Sequence, residues 1–266
     1  MKNILLLLLG SCLLTGCVLN LVTGRNQLSL VPESELQLMA TGQYSAFLAE
    51  HKVLNPGNKN AAMVDRVGAR ISNAITKYYN SQGQQSVIEG YNWEFNTVDD
   101  KAVNAWCMPG GKVVVYTGFL PVAQNETALA IVVGHEIAHA IAKHGSERMS
   151  QGMMQQLGGM ALQAALSQKP QETQNLFMQA YGIGSTVGAV LPWSRQQETE
   201  ADQYGIIFAA MAGYNPQEAI PFWERMSATG GAKPPEFLST HPSDETRMRK
   251  LKQFMPEAMK YYNQAN

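Results

Sequence analysis

The sequence predicts an α+β fold, mostly helical, in which a small β-sheet directly precedes one long apolar helix. Three observations carry this reading. Apolar residues recur at helical spacing from Glu35 to Glu50 and from Ala62 to Tyr79. The stretches Tyr91–Val98 and Lys112–Thr117 alternate apolar with polar residues, the second more loosely. The run Ala128–Ala142 then carries a single charged residue, Glu136, among aliphatic side chains.

Taken in order, the chain opens with Lys2, an apolar stretch Ile4–Leu9, and Leu14-Thr15-Gly16-Cys17. The apolar stretch is too short to span a bilayer, and small residues precede Cys17 where a peptidase would cut, as in a bacterial lipoprotein signal. That resemblance implies removal of residues 1–16, lipidation of Cys17 and anchoring by more than one acyl chain. Residue 18 is Val and not Asp, which resembles sorting to the outer membrane. Residues 17–32 are expected to be a tether that becomes an ordered entry to a domain spanning 33–266.

Pro32, Glu33 and Ser34 open the first helix, and Leu36, Met39, Tyr44, Phe47 and Leu48 mark its apolar positions. Asn55-Pro56-Gly57-Asn58 is a turn into the second helix, with Val64, Val67, Ile71 and Ile75 repeating the pattern. Pro109-Gly110-Gly111 is a hairpin turn between Asn104–Met108 and the strand at Lys112. Asn125 is positioned to cap the apolar helix, expected to run to about His144. Met149–Leu166 and Gln171–Val190, rich in Met, Gln, Gly and Ala, are expected to be weakly specified helices, either packed with methionines filling gaps or forming a mobile flap over the site.

Composition narrows the function classes. Cys12 leaves with the leader and Cys17 takes lipid, so the folded part keeps Cys107 alone and no disulfide is possible within it. An exported chain without a bridge rests on its core, and about 230 residues suffice for one. The formal charge is −1, which argues against a nucleic-acid partner.

The chemistry concentrates in His135-Glu136-Ile137-Ala138-His139. Residues four apart share a helix face, so two imidazoles can reach one zinc ion. Glu136 then stands beside the metal, where it can take a proton from a zinc-activated water and hand it to a leaving amine. A hydrolytic zinc takes three protein ligands and keeps one open position, so a third ligand is needed. Glu198-Thr-Glu-Ala-Asp202 offers two carboxylates on one helix face, one of which can bind metal while the other holds a ligating His in its tautomer.

Five motifs occur in a fixed order: Asn104–Gly118, His135-Glu-x-x-His139, Glu198-x-x-Ala-Asp202, Ala212-Gly-Tyr-Asn-Pro216, and Thr240-His-Pro242 with Arg247. In this the chain, over about residues 30 to 260, resembles the gluzincin zinc metallopeptidases, the family of HtpX, the CAAX prenyl protease, the Oma-type proteases, BepA and LoiP. No run of 18 apolar residues follows the leader and no tetratricopeptide array follows His241, so the compact LoiP-like lipoprotein type is the nearest match.

The resemblance implies a zincin-like domain holding one Zn2+ per chain on His135, His139 and Glu198. Glu136 would be the general base, and Asp202 would support a ligating imidazole. His241 would either donate to the oxyanion or cap the metal as a fourth ligand, and Arg247 would brace its loop. A substrate strand is expected on a sheet edge near Lys112–Thr117, in contact with Asn104, Ala105, Val113 and Val115. The expected activity is endopeptidase cleavage of unfolded or misassembled cell-envelope proteins by an enzyme lipid-anchored at the periplasmic face of the outer membrane. The competing expectation is an envelope chaperone or assembly factor with little turnover.

Overall fold

The computed structural model describes residues 16–185, 191–228, 235–241 and 245–265. The expected leader lies outside these residues except for Gly16. The described residues pack as two units, each built from two stretches: those up to Pro32 with those of Lys143–Gln197, and those of Glu33–Ala142 with those from Glu198 onward. The second unit begins at Glu33, and residues 143–197 group with the N-terminal stretch.

The first unit begins with a hairpin of β1 (Cys17–Leu19) and β2 (Asn26–Leu28), paired antiparallel with Cys17 opposite Leu28. The expected tether is thus folded from Cys17 onward. Two helices follow in this unit, α5 (His144–Leu166) and α6 (Gln171–Ser185), which pack on each other. Tyr181 donates to the Gln155 carbonyl at 2.8 Å, over a surface that Gly158 keeps clear.

The second unit contains α1 (Glu33–Glu50) and α2 (Lys59–Ser81), joined through the turn at Asn55–Asn58. The Asn58 side chain accepts from the Asn60 amide and starts α2. Leu36, Ala40 and Tyr44 form the buried stripe of α1, while Met39, expected inside, is exposed. A three-stranded sheet follows, with β3 (Glu94–Val98), β4 (Ala105–Met108) and β5 (Lys112–Tyr116) in the order β3-β5-β4. β4 and β5 form the predicted hairpin, and Gly110 and Gly111 supply the φ of 80° and 84° that its turn requires. β3 runs parallel to β5 on the other side.

This order overturns one expectation. Lys112–Tyr116 is the central strand, hydrogen-bonded on both sides, so no substrate can add to it. Val113 and Val115 are fully buried. β4, with Ala105 and the neighbouring Asn104, is the edge of this hairpin. One sheet face, through Val98, Val114 and Tyr116, packs with Tyr44 of α1. β4 also packs on α4 (Glu126–Ile141), the apolar helix.

Asn125 caps α4 as expected, its side chain accepting from the Ala128 amide at 2.8 Å. Every residue from Ala128 to Ile141 is buried, which is why this helix is apolar on all sides. It ends earlier than the sequence suggests: Lys143 adopts a left-handed φ of 55° and α5 begins at His144. The remaining elements are a four-residue α3 (Leu120–Ala123) before α4, then α7 (Leu191–Met211), α8 (Ala219–Ala228), α9 (Glu236–Thr240) and α10 (Glu245–Ala265).

α7 approaches α4 closely at a pair of glycines. A Cβ on Gly134 would lie 2.6 Å from the Gly205 carbonyl oxygen, and one on Gly205 would lie 2.8 Å from both N and Cα of His135. The obstructing atoms are backbone, so neither contact can relax by a rotamer change. Gly205→Ala therefore must part the two helices. Although alanine in a helix interior gains about 1 kcal/mol from propensity alone, the overpacking costs about 1–3 kcal/mol. Urea unfolding of Gly205→Ala is expected to show net loss of stability, with weaker retention of zinc against a chelator. A stabilised variant that retains zinc as the parent does would refute the close-approach argument.

Candidate metal centre

α4 presents His135 and His139 one turn apart, with their Nε2 atoms 3.1 Å from each other. α7, held close by the glycine pair, brings in Glu198, whose Oε1 is 3.3 Å from His139 Nε2 and whose Oε2 is 3.5 Å from His135 Nε2. His241, which terminates α9, contributes the fourth donor. Its Nδ1 is 3.0 Å from each Glu198 oxygen and 3.3 Å from His135 Nε2. These four buried residues each offer a ligand atom, and the four atoms all lie within 4.8 Å of one another.

Two observations test whether this group suits zinc. Tetrahedral zinc with bonds of about 2.0–2.1 Å places neighbouring ligand atoms roughly 3.3–3.4 Å apart. The separations quoted above, from 3.0 to 3.5 Å, straddle that value. Charge gives the second test. Glu136, Glu198 and Asp202 are buried carboxylates, and one buried guanidinium, Arg247, pairs with the last two. A site short of positive charge in a low-dielectric interior is costly, and a dication makes up the deficit. Nitrogen and carboxylate donors in this number are those zinc takes.

The surrounding residues hold the ligands in place. His135 Nδ1 is 3.1 Å from Asp202 Oδ1. Asp202 in turn accepts from Arg247 Nε at 2.5 Å and from its second guanidinium nitrogen at 2.8 Å. The remaining nitrogen of Arg247 reaches the His241 carbonyl at 3.2 Å and Glu198 at 3.2 Å. The guanidinium also lies 4.2 Å over the Trp223 ring. Arg247 is thus no surface ion pair but the joint between Asp202, Glu198 and the backbone of His241. Glu136, buried and one residue after His135, has its Oε1 3.5 Å from His241 Nε2.

The structure brings His135, His139, Glu198, Asp202, His241 and Glu136 into one site. Among the sequence-predicted residues, Asn104 and Ala105 lie on the β4 side of the sheet, while Val113 and Val115 are in its core. Glu200 is not in the ligand group. His51 stacks on Phe47 with ring centroids 3.8 Å apart, and His144 is fully buried outside the group. Trp223 was not identifiable from the sequence, since nothing in α8 distinguishes an aromatic under a guanidinium from an ordinary core aromatic. Cys107 is close enough to Glu136 that burial, and then the carboxylate charge, push its thiol well above the usual range.

Electrostatics follow the contacts. Burial works to raise Glu198, but the charge of His139 and hydrogen bonds from three imidazoles hold it well below the usual carboxylate range. Burial likewise opposes ionisation of Asp202, and Arg247 overcomes it. Burial lowers His135, yet the hydrogen bonds and charges of Asp202 and Glu198 outweigh it and raise the imidazole to about 9. In the metal-free protein His135 therefore carries a proton at neutral pH, and zinc must displace it. Titration calorimetry of metal-free protein with zinc, in buffers of differing ionisation enthalpy, is expected to show release of about one proton per zinc at neutral pH. The release should fall away as pH rises through about 9. Zinc binding without proton release at neutral pH would contradict this assignment.

Comparison with known proteins agrees with the geometry. The model of Peptidase family M48 matches residues 65–255. The mitochondrial metalloendopeptidase OMA1 of Saccharomyces cerevisiae is 30% identical over 225 residues, covering 82% of this chain and 62% of that protein. Human OMA1 is 30% identical over 253 residues, covering 92% of this chain and 47% of the relative. The beta-barrel assembly-enhancing protease of Escherichia coli is 28% identical over 187 residues, covering 65% and 37%. The chain spans between about a third and just under two thirds of the length of these relatives. With the family model spanning the sheet, the ligand helix and every residue of the candidate site, the chain belongs to peptidase family M48.

Proposed function

We propose that this chain is a zinc-dependent endopeptidase, lipid-anchored through Cys17 in the cell envelope, that cleaves unfolded or misassembled envelope proteins. One observation carries the reading: Glu136 is buried beside a group of four potential zinc ligands, in a position that metal binding alone does not require. The leader motif ending at Cys17 supports the anchor, as does the exposure of Cys17. Among the described residues no helix is long and apolar enough to cross a membrane. The family relatives named as proteases support peptide-bond hydrolysis, and the Escherichia coli protein named for β-barrel assembly supports an envelope setting.

In this mechanism His135, His139 and Glu198 would hold the zinc, which when bound would supply Lewis acidity toward a carbonyl and toward water. Asp202 accepts from Nδ1–H of His135 and so leaves Nε2 free to ligate. Glu136 takes the proton from the attacking water and returns it to the leaving amine. An extended substrate would pair with the β4 edge at Ala105–Met108. His241 lies among the four potential ligands, which supports a capping role; oxyanion donation would require its side chain to leave that group first.

Glu136→Gln is expected to retain about one zinc per chain and to lose cleavage of an unfolded model protein by about 10²–10⁴-fold. The chaperone alternative is tested with the same variant: if Glu136→Gln restores a deletion strain fully, proteolysis is not the main role. His241→Ala is expected to raise the cleavage rate of the wild-type background by opening the fourth position. A fall in rate with zinc retained would instead assign His241 to the oxyanion.

A further inference from the structure

The hairpin that follows Cys17 has no part in the metal centre. It is nonetheless tightly built. Asn20 is buried, and its side-chain oxygen accepts from the amides of Val22 at 2.8 Å and Thr23 at 3.1 Å, which fixes the turn. Its amide nitrogen donates to Gln27 Oε1 at 2.9 Å in a buried pair that ties the two strands. Arg25 then grips the buried Glu147 of α5 with both terminal nitrogens, at 2.6 and 2.8 Å. The Leu30 amide donates to Ser150 Oγ of the same helix at 2.9 Å.

A rigid hairpin leaves Cys17 no slack. β1 starts at Cys17 itself, and Leu21 is only four residues on, at most about 14 Å along an extended chain. Yet the intervening apolar residues are turned outward: Val18, Leu19 and Leu21 are 56%, 54% and 51% exposed. Scattered exposed leucines are ordinary, but these three stand directly beside the anchor position. The only charged side chain between Cys17 and Pro32 is Arg25, and it is spent on Glu147. Val18 and Leu19, adjacent in β1, project to opposite faces of the ribbon, so β1 and the turn at Leu21 present uncharged apolar side chains on both faces, with Asn26 exposed opposite Leu19.

We propose that this hairpin is a bilayer-docking element: with acyl chains on Cys17, Val18, Leu19 and Leu21 enter the boundary between headgroups and acyl chains. The first unit thus rests on the membrane instead of hanging from it by a flexible leash. This rests on the lipidation reading given above. The occupant is phospholipid because a lipid on Cys17 would place these side chains at the bilayer surface, and no side chain from Val18 to Leu21 carries charge. Recognition is apolar, so it needs no anionic lipid and does not respond to salt.

The test uses the full lipidated chain, isolated from cells and reconstituted in phosphatidylcholine vesicles. Mass analysis of the N-terminal peptide first establishes acylation of Cys17. Nitroxide labels are placed singly through Leu19→Cys and Leu21→Cys in a Cys107→Ser background, with Val18 kept so that sorting is undisturbed. Both labels are expected to lose access to a water-soluble nickel chelate and gain access to oxygen, relative to free nitroxide in buffer, with no change on adding salt. Labels that stay as open to nickel as free nitroxide, on protein shown to be acylated, overturn the docking and leave the anchor standing. Absence of acyl mass on Cys17 removes the anchor reading and this proposal with it. Protection that appears only with anionic lipid and disappears in salt overturns the apolar basis. Protection accompanied by spin–spin broadening that vanishes on dilution with unlabelled protein assigns the face to a second copy and also overturns it.

Discussion

The metal centre depends on how closely two helices can approach. His135 and His139 belong to α4 and Glu198 and Asp202 to α7, and the helices meet where Gly134 and Gly205 leave no room for a Cβ. At that separation a short carboxylate side chain from α7 spans to an imidazole on α4, and two such bridges form four residues apart. A wider spacing would strand Asp202 from His135 before it stranded Glu198, because Asp is the shorter reach. The glycines, which are outside the ligand group, therefore set the geometry of both bridges.

Such a site is expensive to bury. Three carboxylates, three imidazoles and one guanidinium share a space in which desolvation opposes every charge. The protein meets part of this cost by exhausting the donors of Arg247 on Asp202, Glu198 and the His241 carbonyl. The rest falls to a dication or, without it, to a proton on His135. Metal binding and imidazole protonation are thus alternative answers to the same electrostatic deficit, which links zinc affinity to pH through a single residue. The Trp223 ring supports the planar guanidinium of Arg247 from one face without adding another polar group to satisfy.

Much of this was legible in the sequence where the signal is local. The His135-Glu-x-x-His139 spacing, the Asn125 cap and the Pro109–Gly111 turn are each fixed by a few adjacent residues, and each stands as read. What failed was non-local. The position of β5 between β3 and β4 depends on a parallel pairing across the β4 hairpin, which no single segment encodes. Yet Val113-Val-Val115 held a clue: an unbroken apolar run marks a strand buried on both faces, whereas an edge alternates. Arg247 does reach the His241 backbone as expected, but its pairing with Asp202, 45 residues away, had no signal, because a basic residue opening a helix looks the same in sequence whether it faces solvent or a buried acid. The early end of α4 rests on a left-handed lysine, for which no residue preference gives warning.

The fourth donor raises the question of how a capped site could open without losing its ligands. His241 is held from two directions, its amide donating to the Phe237 carbonyl at 2.8 Å and its own carbonyl accepting from Arg247 at 3.2 Å. Only the second bond belongs to the metal centre. The Nε and second nitrogen of Arg247, which grip Asp202 at 2.5 and 2.8 Å, are not the nitrogen that reaches His241. Departure of His241 would therefore cost Arg247 one neutral acceptor while leaving both charge-assisted bonds to Asp202 intact. Asp202 would keep its hold on His135, and the tautomer that presents Nε2 to the metal would survive the opening. The division of labour among three nitrogens of one guanidinium thus separates the hold on His241 from the hold on Asp202.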